Sequence, residues 1–220
     1  MIRALVWCEN KQNKTDDAVK AIYPNGMHNT IADFLNTDPE IKAKTATLDE
    51  VECGLTEAVL ADTDVLLWWG HIGHDEVPDE IAKRVQKRVL EGMGLIPLHS
   101  AHFSKPFKLL MGTSCSLSVP GFFKENLWCT LPGHPIAKGI PNPVEIEIEE
   151  GYIEYFDIPQ PDELVFVGAF EGCRVFRAGC AYHRGRGRVF YFQPGHETFP
   201  IYHTPVIQKI LINAVKWAKG

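Results

Sequence analysis

The sequence predicts a doubly wound α/β domain with a mainly parallel sheet and antiparallel strands at its edge. Short continuous apolar runs recur along the first half of the chain, and such runs are typical of strands buried on both faces of a parallel sheet. Amphipathic helical segments separate these runs, as crossover connections between parallel strands require. The chain has 220 residues, which fits one large domain.

The first unit of the fold runs from the N-terminus to residue 48. Residues 2–7 form a continuous apolar run and predict a buried strand. Asn29 suits the N-cap of a short helix whose apolar residues recur at helical spacing. Residues 41–48 alternate apolar and polar side chains, which predicts a more exposed strand.

The same alternation continues to residue 98. Thr56 suits the N-cap of the next helix, and residues 64–69 predict a second buried strand. Pro78 suits the first turn of another helix, and residues 95–98 predict a third buried strand. Units of this length indicate parallel strands joined by helical crossovers.

Prolines interrupt the pattern between about residues 111 and 183. Because proline breaks helices and central strands, we expect this insertion to form loops and antiparallel edge strands, such as residues 164–170. Regular structure returns with a strand over residues 188–192. A C-terminal helix then begins at Thr204-Pro205, an N-cap and first-turn pair.

Composition limits the possible partners and compartments. The net charge is −6, whereas a nucleic-acid binder or a polybasic membrane anchor needs a basic surface. No apolar run approaches the about 20 residues of a membrane-spanning helix, and the N-terminal run is too short for a signal peptide. The six cysteines show no CxxC spacing, and no nucleotide cofactor is evident. We therefore expect a cytoplasmic protein with reduced thiols.

An apolar cluster in the insertion bears on the oligomeric state. It consists of Phe122, Phe123, Leu127 and Trp128, and such a cluster needs cover. The cover is either the protein's own sheet or a second subunit. We expect a homo-oligomer.

Polar residues with catalytic or ligand chemistry follow four of the predicted strands. Ligands of an open parallel sheet bind beyond the carboxyl ends of its strands. The residues that the chain places there are Glu9, His71, His74, His99, Ser100, His102, His196 and Glu197. Scattered surface histidines would not concentrate at these positions, so we predict the functional site at this edge.

His99 and His196 are the predicted catalytic centre. Imidazole changes charge near neutral pH, and His196 lies in a tight loop without an evident packing need, so we predict it to be a general acid or base. Glu197 or Glu9 orients it or takes up a proton. The predicted substrate contacts are Glu9, His28, His71, Ser100 and His134. Each of these residues also has a structural interpretation, as a helix cap or a turn residue.

The pairs His71/His74 and His99/His102 raise the possibility of a metal site. Neutral imidazole is a good zinc ligand, and three protein ligands with one open position are typical of hydrolytic zinc. The predicted ligands are three or four of a set that comprises Glu9, His71, His99, His102 and His196.

Several stretches of the sequence carry a family resemblance. They are Tyr23-Pro-Asn-Gly-Met-His28, Trp69-Gly-His71, residues 94–102, Pro132-Gly-His-Pro135 and residues 187–197. In these stretches the chain resembles the ThuA-like (trehalose utilisation) proteins, which have the fold of class I glutamine amidotransferases. The resemblance implies one flavodoxin-like domain over residues 1–220, with the proline-rich insertion at about 111–183. It also implies a role in the utilisation of trehalose or a related disaccharide.

The chain departs from the amidotransferases at their nucleophile. The amidotransferases that the chain resembles have a nucleophilic cysteine at the strand-to-helix elbow. Near the C-terminus they have a histidine, followed two positions later by a glutamate. Here the elbow carries His99, and the nearest cysteine is Cys115. Glu197 directly follows His196. We therefore expect no glutaminase activity.

Three functions remain open from the sequence. The first is an enzyme that acts on a sugar or sugar derivative with imidazoles and carboxylates. The second is a zinc-dependent hydrolase. The third is a non-catalytic sugar-binding protein that uses the same cleft.

Overall fold

A nine-stranded mixed sheet runs through the molecule, which we describe from a computed structural model of residues 1–220. Five strands pair in parallel, in the order β2-β1-β3-β4-β9. Their bounds are Ile2–Cys8 for β1, Ile41–Thr47 for β2, Val65–Trp69 for β3, Gly94–Leu98 for β4 and Gly187–Phe192 for β9. These five strands confirm the predicted parallel sheet, and β3 and β4 are buried along their whole length.

The insertion continues the same sheet with four antiparallel strands. They are β5 (Ser118–Cys129), β6 (Val144–Ile153), β7 (Glu163–Phe170) and β8 (Arg174–Arg184), and the order continues β9-β8-β7-β5-β6. The prediction of loops and edge strands underestimated this region, because only β6 lies at an edge. The prolines fall between strands, except for Pro120 near the exposed start of β5. Proline therefore mainly separates the strands here, and Pro120 coincides with a register shift between Ser118 and Gly121.

Helices cover both faces of the parallel part. They are α1 (Gln12–Thr15), α2 (Asp17–Ile22), α3 (Met27–Leu35), α4 (Glu57–Ala61), α5 (Asp79–Leu90), α6 (Lys105–Met111) and α7 (Pro205–Lys219). Helix α7 packs against α3, α5 packs against α4 and α6, and both α5 and α7 contact β9. The two helix layers therefore lie on opposite faces, as a doubly wound fold requires. No helix is both long enough and apolar enough to cross a bilayer.

The helix starts follow local chemistry. The Thr56 side chain accepts a hydrogen bond from the Val59 amide at 3.2 Å, as an N-cap does. Helix α3 begins two residues before the predicted cap Asn29, because Gly26 has a φ of +88° and takes the capping position. Pro78 and Thr204 occupy the N-cap positions of α5 and α7.

The apolar cluster of the insertion is partly covered by its own sheet. Leu127 is fully buried, whereas Phe122 and Trp128 remain 52% and 46% exposed. The sheet therefore supplies only part of the expected cover. The expected homo-oligomer stays a prediction.

Candidate active site

Three imidazoles converge beyond the carboxyl ends of β3, β4 and β9. The ring centroid of His196 lies 5.7 Å from that of His71 and 5.4 Å from that of His99. The His71 and His99 rings are 6.4 Å apart. The three rings converge as the strand-end argument expected, because all three parallel strands end at the same edge.

His99 occupies the elbow between β4 and a short 3₁₀ turn, His99–Phe103. Its φ of +50° lies in the left-handed region, which is strained for a histidine and turns the side chain sharply out of the strand direction. The ring is fully buried, and Nδ1 donates to the carbonyl of Gln193 at 2.8 Å. Nε2 therefore faces the site, 3.1 Å from Glu150 and 3.2 Å from the Tyr152 hydroxyl.

His71 forms a second imidazole–carboxylate pair. Its Nδ1 lies 2.9 and 3.1 Å from the two carboxylate oxygens of Glu197, and its Nε2 makes no hydrogen bond to the protein. Burial alone raises the pKa of Glu197, but the hydrogen bond and charge of His71, with a smaller part from His196, lower it to about 2. The His71 side chain is 29% exposed and is the most open of the three imidazoles. Glu197 thus orients His71, whereas the sequence predicted that it orients His196.

His196 stands between the two pairs. Its Nδ1 accepts a hydrogen bond from the Thr198 amide at 3.2 Å, so in the neutral ring the proton resides on Nε2. Nε2 lies 3.8 Å from an oxygen of Glu150 and 3.8 Å from an oxygen of Glu197. Burial, assisted by the charge of His99, lowers the pKa of His196 to about 4. His196 is therefore neutral at pH 7.

The pKa of His99 shifts the other way. Burial alone lowers it, but the hydrogen bond with Glu150 and the negative charges of Glu149 and Glu150 raise it above its ordinary value. The same interactions act on Glu150. Burial alone would raise its pKa, but its hydrogen bond with His99 and the charges of His99 and His196 lower it. One cluster thus holds two histidines with oppositely shifted pKa values, which is a common property of acid–base sites.

Glu149 and Glu150, on the antiparallel strand β6, were missed as site residues. Glu149 is fully buried and accepts hydrogen bonds from the amides of Gly195 at 2.6 Å, His196 at 3.1 Å and Glu150 at 2.8 Å. It thereby holds the turn that carries His196. A signal was present, because consecutive glutamates break the apolar–polar alternation of the strand and place a carboxylate on each face.

A β-bulge explains why Glu149 faces inward. Phe123 pairs with Glu149 and Glu125 pairs with Ile146, so β6 has one residue more than β5 across this interval. An extra residue reverses which side chains face the core. Glu145 and Glu147 consequently point to solvent, while Glu149 points into the protein.

Glu9 and Ser100 fix the loop that carries His71. The Glu9 carboxylate accepts from the amides of His71, Ile72 and Gly73 at 2.8 to 2.9 Å. The Ser100 hydroxyl donates to the carbonyl of Gly70 at 2.8 Å. Both side chains, predicted to contact substrate, bond to the backbone here and act through the position of His71.

His28 and His134 do not join the cluster. His28 lies at the start of α3, where its Nε2 is 3.3 Å from the Asn29 amide group. His134 lies 3.3 Å from Glu163 and packs against Trp217, whose carbonyl binds Arg188 at the start of β9. The His134 ring is therefore at the opposite end of the parallel strands. Sequence spacing alone could not separate these loops from those at the functional edge.

His102 is also directed away from the other histidines. Its Nδ1 donates to the carbonyl of Cys115 at 2.7 Å, and its ring packs against Phe103. Burial lowers its pKa to about 3. The predicted His-x-x-His pair at 99 and 102 fails because the φ of +50° at His99 takes that residue out of helical geometry, while the hydrogen bond to Cys115 holds the His102 ring elsewhere.

Two groups in the cluster have the donor atoms of a metal site. One group is His71, His196 and Glu197, and the other is His99, His196 and Glu150. Within each group the potential ligand atoms lie within 4.8 Å of one another. Two imidazoles and a carboxylate suit zinc or non-haem iron(II). His102 belongs to neither group, and Glu150 takes part where the sequence predicted only imidazoles and Glu9.

Comparison with known proteins assigns the family. The family model for trehalose utilisation, ThuA, matches residues 3–218. The chain belongs to the ThuA family. No curated protein matches it.

Several solved structures have a fold similar to that of this chain. A putative ThuA-like protein of Parabacteroides merdae ATCC 43184 is 16% identical, with a TM-score of 0.67 over 99% of this chain and 90% of that one. A cytoplasmic protein of Salmonella typhimurium is 11% identical, with a TM-score of 0.67 over 99% of both chains. PurLQS of Thermotoga maritima is 16% identical, with a TM-score of 0.58 over 98% of both. These matches confirm the fold expected from the family resemblance.

Proposed function

We propose that this ThuA-family protein acts on a sugar or sugar derivative, in the class of trehalose and related disaccharides, by acid–base catalysis at the His71–His99–His196 cluster. The family description supports the substrate class. The observation that carries the chemistry is the pair of imidazole–carboxylate contacts, His71–Glu197 and His99–Glu150, on either side of a neutral His196. A sugar offers hydroxyl and acetal oxygens to which such groups transfer protons.

His71 is the best-placed general base in this proposal. Its Nδ1 proton is held by Glu197, which leaves the Nε2 lone pair without a hydrogen bond to the protein on a side chain that is 29% exposed. An imidazole oriented by a carboxylate in this way accepts a proton and is stabilised once charged. The carboxylates around buried His99 raise its pKa, so the His99–Glu150 pair holds a proton more tightly than a free imidazole does, and the Nε2–H of His196 is a donor for a substrate oxygen.

Glutamine hydrolysis is not part of the proposal. The elbow position carries His99, and burial raises the pKa of the Cys115 thiol to about 11. A thiol with such a pKa is not the thiolate nucleophile that thioester formation needs. Ammonia release from glutamine at ordinary enzymatic rates would contradict this part.

The direct test compares two histidine variants. The protein is incubated with trehalose, sucrose, maltose and cellobiose, and conversion is followed by chromatography and mass spectrometry. We expect the wild type to convert at least one sugar, and His71→Ala to slow the conversion by about 100-fold or more. His134→Ala, which removes a histidine at the opposite end of the sheet, is the control and should retain activity.

The outcomes separate enzyme from binding protein. Sugar binding without conversion would favour the non-catalytic alternative. If the wild type neither binds nor converts any of these sugars, the proposal is contradicted. Equal activity of wild type and His71→Ala would remove His71 from the mechanism.

A zinc-dependent hydrolase is the second candidate, favoured by the two donor groups. Zinc binds imidazole nitrogen and carboxylate oxygen at about 2.0–2.2 Å, so its ligands in a tetrahedral site lie about 3.3 Å apart. The 3.8 Å separations around His196 Nε2 need only a small contraction to reach this value. His71, His99 and His196 remain candidate ligands, with Glu150 and Glu197. Bound zinc would polarise a substrate oxygen and lower the pKa of its water.

Elemental analysis tests this candidate. We expect zinc in protein purified without chelator, and loss of zinc at pH 5, because imidazole ligands must be deprotonated. His196→Ala should lower the zinc content, whereas His134→Ala should not. Equal zinc in wild type and His196→Ala at pH 7.5 would exclude the cluster as the metal site.

A further inference from the structure

Phe122 stands at the rim of the histidine cluster with about half of its side chain exposed. Its exposure is 52%, although it is a large apolar residue on a strand. It pairs with Glu150 across β5 and β6, and residues paired in this way project from the same face. Phe122 therefore faces the site that contains Glu150.

Two aromatic rings, those of His196 and Phe199, lie against Phe122. Its ring centroid lies 5.2 Å from that of His196 and 5.2 Å from that of Phe199, in edge-to-face geometry. Phe199 itself lies 5.5 Å from His196. The exposed ring thus forms a wall directly beside the imidazole that is central to the cluster.

The backbone around Phe122 is irregular in a way that directs its side chain. Register shifts occur on both sides, between Ser118 and Gly121 and between Phe123 and Glu125. Gly121 has a φ of +136°, which a residue with a side chain rarely adopts. Bulges of this kind re-aim side chains and are frequent beside active sites.

Neighbouring Phe123 shows what an ordinary structural role looks like on this strand. A Cβ on Gly151 would lie 2.6 Å from the Phe123 ring, so that ring fills the space above the glycine. Phe122 does not fill a space of this kind, and about half of its side chain is exposed to water. The exposed half of the ring adds little to the free energy of folding. An exposed aromatic side chain beside convergent polar groups is typical of a ligand site.

We propose that Phe122 is the stacking platform for a pyranose ring of the substrate. A pyranose has one face of C–H groups, which packs on the electron-rich face of an aromatic ring. Its hydroxyls lie around the rim, within reach of acceptors and donors such as Glu150, His196 and His71. The inference rests on the proposed function and adds the ligand class: a ring-shaped sugar bound by one apolar face.

The test uses four proteins: wild type, Phe122→Ala, Phe122→Tyr and Trp128→Ala. Trp128 is the matched control, because it is an exposed aromatic residue on the same strand, six residues and about 20 Å away along β5. Dissociation constants are measured by calorimetry with trehalose, maltose, sucrose and cellobiose. Thermal unfolding confirms that each variant is folded, and removal of an exposed ring leaves no buried cavity.

For any sugar that binds the wild type, we expect Phe122→Ala to raise the dissociation constant at least tenfold. Phe122→Tyr keeps the aromatic face and should stay within about threefold of wild type, and Trp128→Ala should stay within twofold. An unchanged constant for Phe122→Ala overturns the platform but leaves the proposed function intact. If no sugar binds the wild type and none is converted, both proposals are overturned.

Discussion

The parallel and antiparallel halves of the sheet supply different chemistry to one site. The parallel half contributes the imidazoles, each on a loop just beyond a strand end. The antiparallel half contributes Glu149 and Glu150 from within a strand, together with the exposed ring of Phe122. A strand end is visible in a sequence, whereas a residue within a strand looks like any other alternating position.

The two halves meet because the sheet coils. Strand β6 is four positions from β9 in the sheet order, yet Glu149 on β6 binds the amides of the turn after β9. Strand β6 also packs against β8. Twist and β-bulges allow such a return of the sheet edge. The antiparallel half thus fixes the geometry of residues that the parallel half supplies.

Replacement of Glu149 tests this dependence and should have the largest effect. Glu149→Ala leaves the buried amides of Gly195 and His196 and the part-buried amide of Glu150 without an acceptor, and each buried unpaired amide costs about 1–3 kcal/mol. Because the loop can relax in part, we expect a loss of about 3–5 kcal/mol in the free energy of unfolding, measured in urea. Glu147→Ala, an exposed position on the same strand, should change it by less than about 0.5 kcal/mol. Equal effects would show that the antiparallel half does not hold the His196 turn.

Glu125 gives a second test on the antiparallel half, through the change in stability as pH rises above 4.5. It is fully buried, neither carboxyl oxygen has a partner, and burial with the nearby charge of Glu149 raises its pKa well above the ordinary value. A raised folded pKa means that stability is full below the unfolded pKa and falls as pH rises above it. We expect the advantage of Glu125→Gln over wild type to grow above pH 4.5, by at most about 1.4 kcal/mol per pH unit. A difference that does not change between pH 5 and 8 would show that Glu125 is already ionised in the folded protein.

Glu197 provides the opposite pH dependence in the parallel half. His71 is the main partner that lowers its folded pKa to about 2, so its contribution to stability is present above pH 4.5 and is lost as pH falls towards 2. We expect wild type to lose about 2 kcal/mol relative to Glu197→Gln between pH 5 and pH 2. Urea unfolding at both pH values measures this difference, and Glu57→Gln on the exposed side of α4 is the control. A constant difference would mean that Glu197 is not ionised beside His71.

The sequence predicted the strands of the parallel half and the position of its histidines at strand ends, but it predicted the antiparallel half poorly. Continuous apolar runs identify β3 and β4, and His71, His99 and His196 follow directly from where strands end. Long-range pairing decides the position of Glu150, because a bulge and the return of β6 bring it to His99. His134 shows the converse error, since a loop histidine at the wrong end of a strand has the same local sequence signal.

The smallest predicted effect concerns the loop that carries His71, and it isolates the parallel half. Ser100 on the elbow donates one hydrogen bond to the Gly70 carbonyl, so Ser100→Ala leaves that buried acceptor unpaired. We expect a loss of about 1 kcal/mol in the free energy of unfolding. The loop keeps its three amide bonds to Glu9, so His71 should shift little and sugar conversion should fall by no more than about tenfold. Calorimetric unfolding and the conversion assay measure the two effects together. A loss of activity as large as that of His71→Ala, with the fold intact, would place the Ser100 hydroxyl among the groups that contact the substrate, as the sequence predicted.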